Sequence, residues 1–425
     1  MCFIFYNPMK KLIFILSLIS QSMLAQNVNY DEAKIPPYTL PDIMTGVDGK
    51  KITTTQQWEA NRPALLQLFT ENVYGPTPAI ATKFHSKLLE TNSNALGGKA
   101  IRKQVLITFD DYPQLKGINI LLYIPKNVAK PPVFVGLNFE GNHSIGDDPA
   151  VFITQNWMVD FQKNSERVKD NKALEASRGK AVVETWAAEM IIEKGFAIAT
   201  AYYGDIEPDH TEGWKSGLRG AIGMTDDQKW SAMGAWAWQL SRMMDYLETD
   251  AHINSKKAIV VGHSRLGKAA FWAAAQDQRF AAFISNESGE GGAALKRRWY
   301  GETHEIINDK FPHWFSGKYK TYGGNIQSLP FDQHQLFGLI APRPVYVTSA
   351  EGDQWADPNG QFLSLKNAEH VFALYGKKGL GADTHPSLNQ PVGSHIRYHY
   401  RTGKHDMNAY DWEQYLKFAR EVVSN

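Results

Sequence analysis

Residues 258–268 read AIVVGHSRLGK, and this stretch decides the fold. Its first four residues are apolar and mostly β-branched, while 266–277 (LGKAAFWAAAQD) has the composition of a helix. Between the two, Ser264 stands two residues after Gly262, as at a tight strand-to-helix turn that exposes a serine nucleophile in the pattern G-x-S-x-G. The second glycine is displaced by one position, to Gly267. The alternative is that Ser264 caps an ordinary helix after a strand.

The sequence on either side of this turn alternates between strand and helix patterns. Predicted strands cover 101–109, 117–124, 132–139, 195–201, 280–284, 344–348 and 395–401, and predicted helices cover 58–72, 184–194, 230–250 and 411–423. Residues 27–57 read as an extended arm, and 140–180 as a long polar insertion that could roof a site. Strands alternating with helices predict a parallel sheet covered on both faces. With the turn at Ser264, we expect an α/β-hydrolase fold, a three-layer α/β/α sandwich with a mostly parallel central sheet, in a single catalytic domain over 26–425.

The first 25 residues have the layout of a signal peptide. Lys10 and Lys11 precede an apolar run over 12–19, and Ala25 offers the small residue of a cleavage site. The run is shorter than the roughly 20 residues that span a bilayer. We therefore expect a secreted or periplasmic protein; the alternative is a buried N-terminal strand. Cleavage removes two lysines, no acidic residue and the single cysteine, Cys2, which takes the net charge from +1 to −1.

The composition of the 425-residue chain excludes several classes of protein. Hydrophobic residues make up 43% of the chain and aromatic residues 12%, which is too many for a disordered protein. The 45 basic residues against 44 acidic ones give no basic excess for nucleic acid. A mature chain without cysteine has neither disulfides nor thiol chemistry. We expect no nucleic-acid partner, no cofactor, no membrane contact after cleavage, and a monomer.

A serine hydroxyl needs a base to take its proton, and in an α/β-hydrolase the histidine comes last in the chain. The histidines that follow the serine by a wide margin are His304, His313, His334, His370, His385, His395, His399 and His405. His405 is the best placed, because it lies in a polar loop between the last predicted strand and the last predicted helix. His395 and His399 fall on the strand and are expected to be half-buried sheet residues.

An acidic residue must orient this histidine and stabilise its protonated form. Asp353 follows the strand PVYVTS, at the usual position of the acid in this fold. Glu287 follows the preceding predicted strand, in the segment NESG. Both residues stand at the carboxyl ends of strands, where sites of parallel sheets are built, so both remain candidates.

In these stretches the sequence resembles the glucuronoyl esterases of carbohydrate esterase family 15. The family's elbow reads G-x-S-R-x-G-K, and residues 262–268 (GHSRLGK) match it, including the displaced glycine. Further similar segments are ENVYG (71–75), NFEGNH (138–143), YYGDIEPD (202–209), ESGEGG (287–292), LIAPRPV (339–345), EGDQWADP (351–358) and DWEQY (411–415). The resemblance covers essentially the whole chain after the predicted signal peptide.

The resemblance implies a role for each catalytic candidate. It implies Ser264 as the nucleophile, His405 as the base and Glu287 as the acid of many members. Some bacterial members also carry an acid at the later position, here Asp353, so the division of labour between the two acids stays open. Arg265 is implied to stabilise the oxyanion through its backbone N–H and its side chain, a guanidinium with five donors.

The resemblance also implies the residues that bind substrate. Lys268 would reach the sugar hydroxyls, and Glu302 and Trp355 would bind the glucuronoyl ring, although Glu305 stands near Glu302. Without the resemblance, Lys268 could equally be a solvated helix lysine and Trp355 a core tryptophan. His263 precedes the serine, so the disulfide that fungal members form at the elbow cannot form here.

The residues and the resemblance together predict a serine carboxylester hydrolase acting through an acyl-enzyme. Its expected substrates are esters of (4-O-methyl)glucuronic acid on glucuronoxylan, as in lignin–carbohydrate ester linkages. The alternatives are an acetyl-xylan or feruloyl esterase or a peptidase of the same fold, and a xylan-binding relative without catalysis. No His/Cys pair stands at ligand spacing, so we expect no metal.

Overall fold

The structure is a computed structural model, and it describes residues 28–80, 82–163 and 165–423. The predicted signal peptide, 1–25, lies outside these residues. Strands are β1 His85–Ala95, β2 Ala100–Thr108, β3 Ile118–Pro125, β4 Val133–Asn138, β5 Val168–Lys169, β6 Lys172–Ala173, β7 Ala197–Tyr202, β8 Ala258–His263, β9 Ala282–Asn286, β10 Val345–Ala350, β11 Val392–Gly393 and β12 Ile396–Arg401. Helices are α1 Thr55–Phe69, α2 Ala188–Glu193, α3 Leu218–Ala221, α4 Ala232–Thr249, α5 Ser264–Gln276, α6 His304–Lys310, α7 Gly317–Lys320, α8 Gln333–Gly338, α9 Pro358–Leu374 and α10 Ala409–Val423.

The main sheet follows the order β1-β2-β3-β7-β4-β8-β9-β10-β12-β11. Its six central strands, from β7 to β12, run parallel, whereas β1, β2 and β3 join one edge antiparallel and β11 closes the other. Because parallel strands are linked by crossovers, their carboxyl ends all meet at one edge of the sheet. The predicted mostly parallel central sheet is confirmed.

Two hydrophobic cores lie on opposite faces of this sheet. Alternate residues of β8 divide between them: Val260 joins the core formed with α1, α4, α5, α8 and α9, whereas Ile259 and Val261 join the core formed with α2 and α10. This division is the two-residue period of a strand that is buried on both sides. The three-layer α/β/α arrangement is therefore confirmed.

Several elements differ from the prediction. The long edge strand β1 has no predicted counterpart, because its residues are mostly exposed and lack an apolar pattern. Helix α9 was also not predicted, since its start, Pro-Asn-Gly, has the composition of a loop. In the structure Pro358 takes the first helical position, which needs no N–H, and the Asp357 side chain accepts from the Gly360 amide at 2.9 Å.

Other predicted elements are present with shifted ends. Helix α1 begins three residues earlier than expected, after a capping box formed by Thr54 and Gln57, and continues as a π-helical turn over Thr70–Tyr74. The predicted helix 184–194 shortens to α2, and strand β9 ends two residues later than predicted. No helix in the described ranges is long and apolar enough to cross a membrane.

The turn between β8 and α5 depends on its two glycines. A Cβ on Gly262 would lie 2.3 Å from the Leu266 carbonyl oxygen, and one on Gly267 would lie 2.9 Å from the Gly262 carbonyl oxygen. Gly267, the glycine that is displaced relative to G-x-S-x-G, therefore lies directly against the end of β8. Both positions let helix α5 begin directly against the end of β8, with Ser264 as its first residue.

We predict that Gly262→Ala destabilises the protein by roughly 1–3 kcal/mol, because the added methyl group overlaps backbone that cannot move away. Urea unfolding monitored by tryptophan fluorescence measures the change. Gly146→Ala is the matched control, since nothing lies within 4 Å of a Cβ there. Equal stability of the two variants would contradict this account of the turn.

Candidate active site

Strand register places the candidate residues side by side at the carboxyl edge of the sheet. His263 pairs with Asn286 at the ends of β8 and β9, so the next residues along, Ser264 and Glu287, leave adjacent strands at the same level. Strands β10 and β12 end in register as well, and the loops that follow them carry Asp353 and His405. Four residues separated by up to 141 positions in sequence therefore converge at one place.

The serine and the histidine are within hydrogen-bond distance. His405 Nε2 lies 2.9 Å from Ser264 Oγ, and its other ring nitrogen, Nδ1, lies 2.6 Å from Asp353 Oδ2. Nδ1 also lies 3.1 Å from Glu287 Oε2. Because Nδ1 faces two carboxylates, it carries the proton of the neutral imidazole, and the Nε2 lone pair is left facing the serine hydroxyl. This is the arrangement that a serine nucleophile requires.

Glu287 belongs to a buried charge network beneath the histidine. It adopts a left-handed backbone conformation, with φ 49°, and is 1% exposed. Its Oε1 accepts from Arg401 Nη2 at 2.6 Å, and its Oε2 accepts from the backbone N–H of Asp406 at 3.2 Å. Arg401 also donates to Asp411 at 2.9 Å. Glu287 therefore anchors both the histidine ring and the loop that carries it.

The pKa values of Glu287 and His405 are both raised. Burial raises the pKa of Glu287 above its usual range, against the lowering effects of His405 and Arg401. Burial lowers the pKa of His405, but hydrogen bonds and charge from Asp353 and Glu287 outweigh it, so that the pKa of His405 is raised. The two carboxylates make the imidazole a stronger base than an isolated histidine.

Aromatic rings surround the Arg265 guanidinium next to the serine. Its guanidinium lies 4.7 Å from the centre of the Trp314 ring and 5.5 Å from that of Phe311, and these two rings are themselves stacked 3.8 Å apart. Its Nη1 donates to Asp209 Oδ2 at 2.5 Å. As the second residue of α5, Arg265 also offers a backbone N–H that no carbonyl within the helix can accept. The residue thus presents two kinds of donor near Ser264.

Lys268 and Glu302 meet within the same pocket, and both are buried. Lys268 Nζ donates to the carbonyl oxygens of Ser288 and Glu290, at 2.7 and 2.6 Å, and lies 3.5 Å from Glu302 Oε2. Burial lowers the pKa of Lys268 and raises that of Glu302. Lys268 is therefore a pocket residue and not a solvated helix lysine. Glu305, the neighbouring alternative, instead accepts from the exposed Gly324 amide.

Trp355 lies at the rim of a cavity of about 220 Å³ that Ser264, Lys268, Glu302 and His405 also line. Its ring is half-buried, and Lys310 Nζ lies 4.1 Å from the ring centre. A tryptophan in this position has a face available for stacking on a sugar ring. It is not a core residue.

The structure corrects or completes four further sequence inferences. His395 is half-buried as expected, but His399 is fully buried and lies 2.9 Å from Asp411. The described residues of the insertion 140–180 include Phe161, whose ring centre lies 5.6 Å from the Arg265 guanidinium, and none of them lines the cavity itself. Among the described residues, the group that could hold a metal ion is the cluster of Glu287, Asp353 and His405.

Among the residues of this site that sequence reasoning missed, Phe311, Trp314 and Asp209 contact Arg265. Phe311 and Trp314 line the cavity, and Asp209 holds Arg265 from behind. Asp209 ends the segment YYGDIEPD, so its position carried a signal, but no role was assigned to it. Phe311 and Trp314 stand in an irregular stretch after α6, where neither periodicity nor spacing indicates a pocket.

Known proteins match this chain, one of them over most of its length. The family model described as glucuronyl esterase, fungi, matches residues 162–376. A carbohydrate esterase from an unknown prokaryotic organism is 45% identical over 401 residues, which cover 92% of this chain and 91% of the relative. A 4-O-methyl-glucuronoyl methylesterase from Phanerochaete carnosa is 37% identical over 157 residues, 34% of this chain and 38% of the relative.

Solved structures agree with these relatives. A promiscuous CE15 esterase from a marine bacterial metagenome superposes with a TM-score of 0.86 at 44% identity, covering 93% of this chain and 100% of its own. A glucuronoyl esterase from Solibacter usitatus superposes with a TM-score of 0.85 at 46% identity, covering 92% and 99%. The chain belongs to the CE15 family of glucuronoyl esterases.

Proposed function

We propose that the protein hydrolyses esters of glucuronic acid and its 4-O-methyl ether through an acyl-enzyme on Ser264. The observation that carries the proposal is the contact of His405 Nε2 with the serine hydroxyl at 2.9 Å, with Nδ1 turned toward Asp353 at 2.6 Å. Membership of the family supplies the class of substrate. The natural substrate we propose is glucuronoxylan esterified through its uronic acid branches to the alcohols of lignin.

In the first step His405 takes the hydroxyl proton while Ser264 Oγ attacks the ester carbonyl. The negative charge that develops on the carbonyl oxygen is stabilised by the backbone N–H of Arg265 and by its guanidinium. The alcohol then leaves as His405 returns the proton to it. Asp353 and Glu287 stabilise the imidazolium that exists between the two proton transfers.

The second step repeats the chemistry with water. The His405 side chain is 38% exposed at the mouth of the cavity, so water can reach its Nε2 once the alcohol has left. The histidine activates this water, which attacks the acyl-enzyme and releases the uronate and the free serine. Both steps use the same side chains and the same backbone N–H of Arg265, with water as the second nucleophile.

The acid part of the substrate fits the other side of the cavity. The carboxylate of Glu302, held by Lys268, can accept from the hydroxyl groups of a sugar, and Trp355 supplies an apolar face for the ring. A cavity of about 220 Å³ holds one such ring. The proposed pocket therefore selects for the acid and leaves the alcohol toward the solvent.

A panel of esters tests the proposed substrate class. We expect benzyl and methyl glucuronate to be hydrolysed with a higher kcat/KM than the galacturonate epimer, because the pocket contacts the ring hydroxyls. We expect both to exceed p-nitrophenyl acetate, which leaves the pocket for the ring empty. Activity confined to acetyl or feruloyl esters would overturn the proposal. Binding of xylan without turnover of any ester would instead indicate a non-catalytic relative.

Ser264→Ala and His405→Ala are each expected to lower kcat/KM on benzyl glucuronate by roughly 10⁴-fold or more, since nucleophile and base act as one unit. The melting temperatures should stay close to that of the unaltered protein. His370→Ala is the control, because His370 is exposed on α9 and is not one of the residues that line the cavity. A near-normal rate for His405→Ala would show that another group is the base.

Loss of either carboxylate is expected to change the pH dependence. Hydrolysis needs neutral His405, so kcat/KM falls as the pH drops below the pKa of this residue. Asp353 and Glu287 both raise that pKa, and removing one charge lowers it. Asp353→Asn and Glu287→Gln should therefore each move the acidic limb of the profile to lower pH, besides lowering the maximal rate.

The shift should be larger for Asp353→Asn, because Asp353 makes the shorter contact with Nδ1, 2.6 Å against 3.1 Å. Profiles of kcat/KM between pH 4 and 10 are the measurement. Acidic limbs that move to higher pH, or that do not move in either variant, would refute the assignment of the two carboxylates.

A further inference from the structure

Asp209 is a buried carboxylate to which the reaction described above gives no role. Its side chain is 2% exposed and lies behind Arg265. Besides Arg265 Nη1, its donors are His313 Nε2 at 2.8 Å, Trp314 Nε1 at 2.7 Å and the Tyr203 hydroxyl at 3.1 Å. Both of its oxygens are therefore held by protein groups, and its orientation is fixed.

This carboxylate stays ionised despite its burial. Burial alone would raise the pKa of Asp209, but the charge of Arg265 and the hydrogen bonds of His313 and Trp314 outweigh it and hold the pKa well below its usual range. A permanent negative charge at this point gives the guanidinium a partner that does not change with pH in the neutral range.

One of the five guanidinium donors of Arg265 is buried and has no acceptor in the described part of the chain. This donor is the N–H of Nε. The surround consists of aromatic rings, with Phe139, Phe161 and Trp314 centred 4.7 to 5.7 Å from the guanidinium carbon. Rings cannot satisfy an N–H as an oxygen does, and a buried donor without a partner is costly. A group that arrives with the substrate would remove this cost.

We propose that Asp209 is a positioning residue for the reaction: it fixes the Arg265 side chain so that the free Nε–H faces the oxyanion that forms on the ester carbonyl. The inference rests on the proposed esterase mechanism and extends it to the residue behind the arginine. His313 and Trp314 act on Asp209 in the same way, as the groups that hold it.

A buried ion pair with a purely structural role would behave differently. Loss of such a pair lowers stability and affects every variant alike, whereas loss of a positioning contact matters only while the positioned group is present. The chain offers a matched comparison in the same segment. Glu207 is fully buried and forms an ion pair with Arg219 at 2.5 Å, and neither residue lines the cavity.

A double-mutant cycle tests the proposal. Arg265→Met is expected to lower kcat on benzyl glucuronate by about 10²–10³-fold, the usual cost of one oxyanion donor. Asp209→Asn, which keeps the shape but replaces one of the two acceptor oxygens by an NH₂ donor, should lower kcat by about 10- to 100-fold with KM changed less than about threefold. The double variant should be no slower than Arg265→Met within about threefold.

The controls separate positioning from folding and from substrate choice. Glu207→Gln should lower the melting temperature and leave kcat unchanged. His313→Phe, which removes one anchor of Asp209, should lower kcat in the presence of Arg265 and not in its absence. His313→Phe replaces Asp209→Asn in the test if Asp209→Asn does not fold. The cycle is also run with p-nitrophenyl acetate, so a protein that rejects glucuronate esters still reports on Asp209.

The proposal would be overturned if the double variant lost kcat by the product of the factors measured for Arg265→Met and Asp209→Asn. The same holds if Asp209→Asn, like Glu207→Gln, lowers only the melting temperature, or if it raises KM without lowering kcat. Each of these outcomes would make the Asp209–Arg265 contact a structural ion pair.

Discussion

The backbone of Ser264 is the constraint on which the site depends. Its φ of 51° lies in the left-handed region, which costs a non-glycine residue on the order of 1–3 kcal/mol. This conformation turns the chain from β8 into α5 within one residue and directs the hydroxyl out of the sheet. The strand below it is buried on both faces, and the helix above packs directly on it, so the surrounding core holds the strained residue in place.

A second strained residue stands beside the first. Glu287 leaves β9 with φ 49°, at the level at which Ser264 leaves β8. A carboxylate in this position has almost no contact with water and needs positive charge, which Arg401 and His405 supply. Arg401 in turn contacts Asp411 at the start of α10. The orientation of His405 is thereby tied to the ends of two strands and to the last helix.

The sequence indicated the parts of this arrangement that local pattern controls. The run into Gly262, the helix after it and the chain order of serine, acid and histidine predict the sheet, the turn and the choice of His405. Strand β1 was not predicted because an exposed edge strand has no apolar period. Helix α9 was not predicted because its first residues, Pro-Asn-Gly, resemble a loop. Both elements lack the periodicity that makes prediction from sequence possible.

Contacts between segments that are distant in sequence limit how much of the site could be predicted. Asp209 meets Arg265 across 56 residues and His313 across 104, and nothing in the local sequence of either partner reports the other. The choice between Asp353 and Glu287 was open for a related reason: each follows a strand at the right edge, and the structure brings both to Nδ1 of His405. Chain order indicates which strand each acid follows. It does not indicate that Asp353 lies half an ångström closer to Nδ1 than Glu287 does.

The pairing of charges in the cavity bears on how the reaction can turn over. Each of the two basic side chains that line it, Arg265 and Lys268, has a carboxylate close by: Arg265 has Asp209 at 2.5 Å and Lys268 has Glu302 at 3.5 Å. Hydrolysis converts a neutral ester into an anion, and an unpaired cation would bind this product more tightly than the substrate. Catalysis gains only from interactions that are stronger in the transition state. A donor such as Arg265 Nε–H, whose charge is already balanced by Asp209, favours the oxyanion through direction and desolvation, and it does so without an excess of positive charge that would retain the uronate.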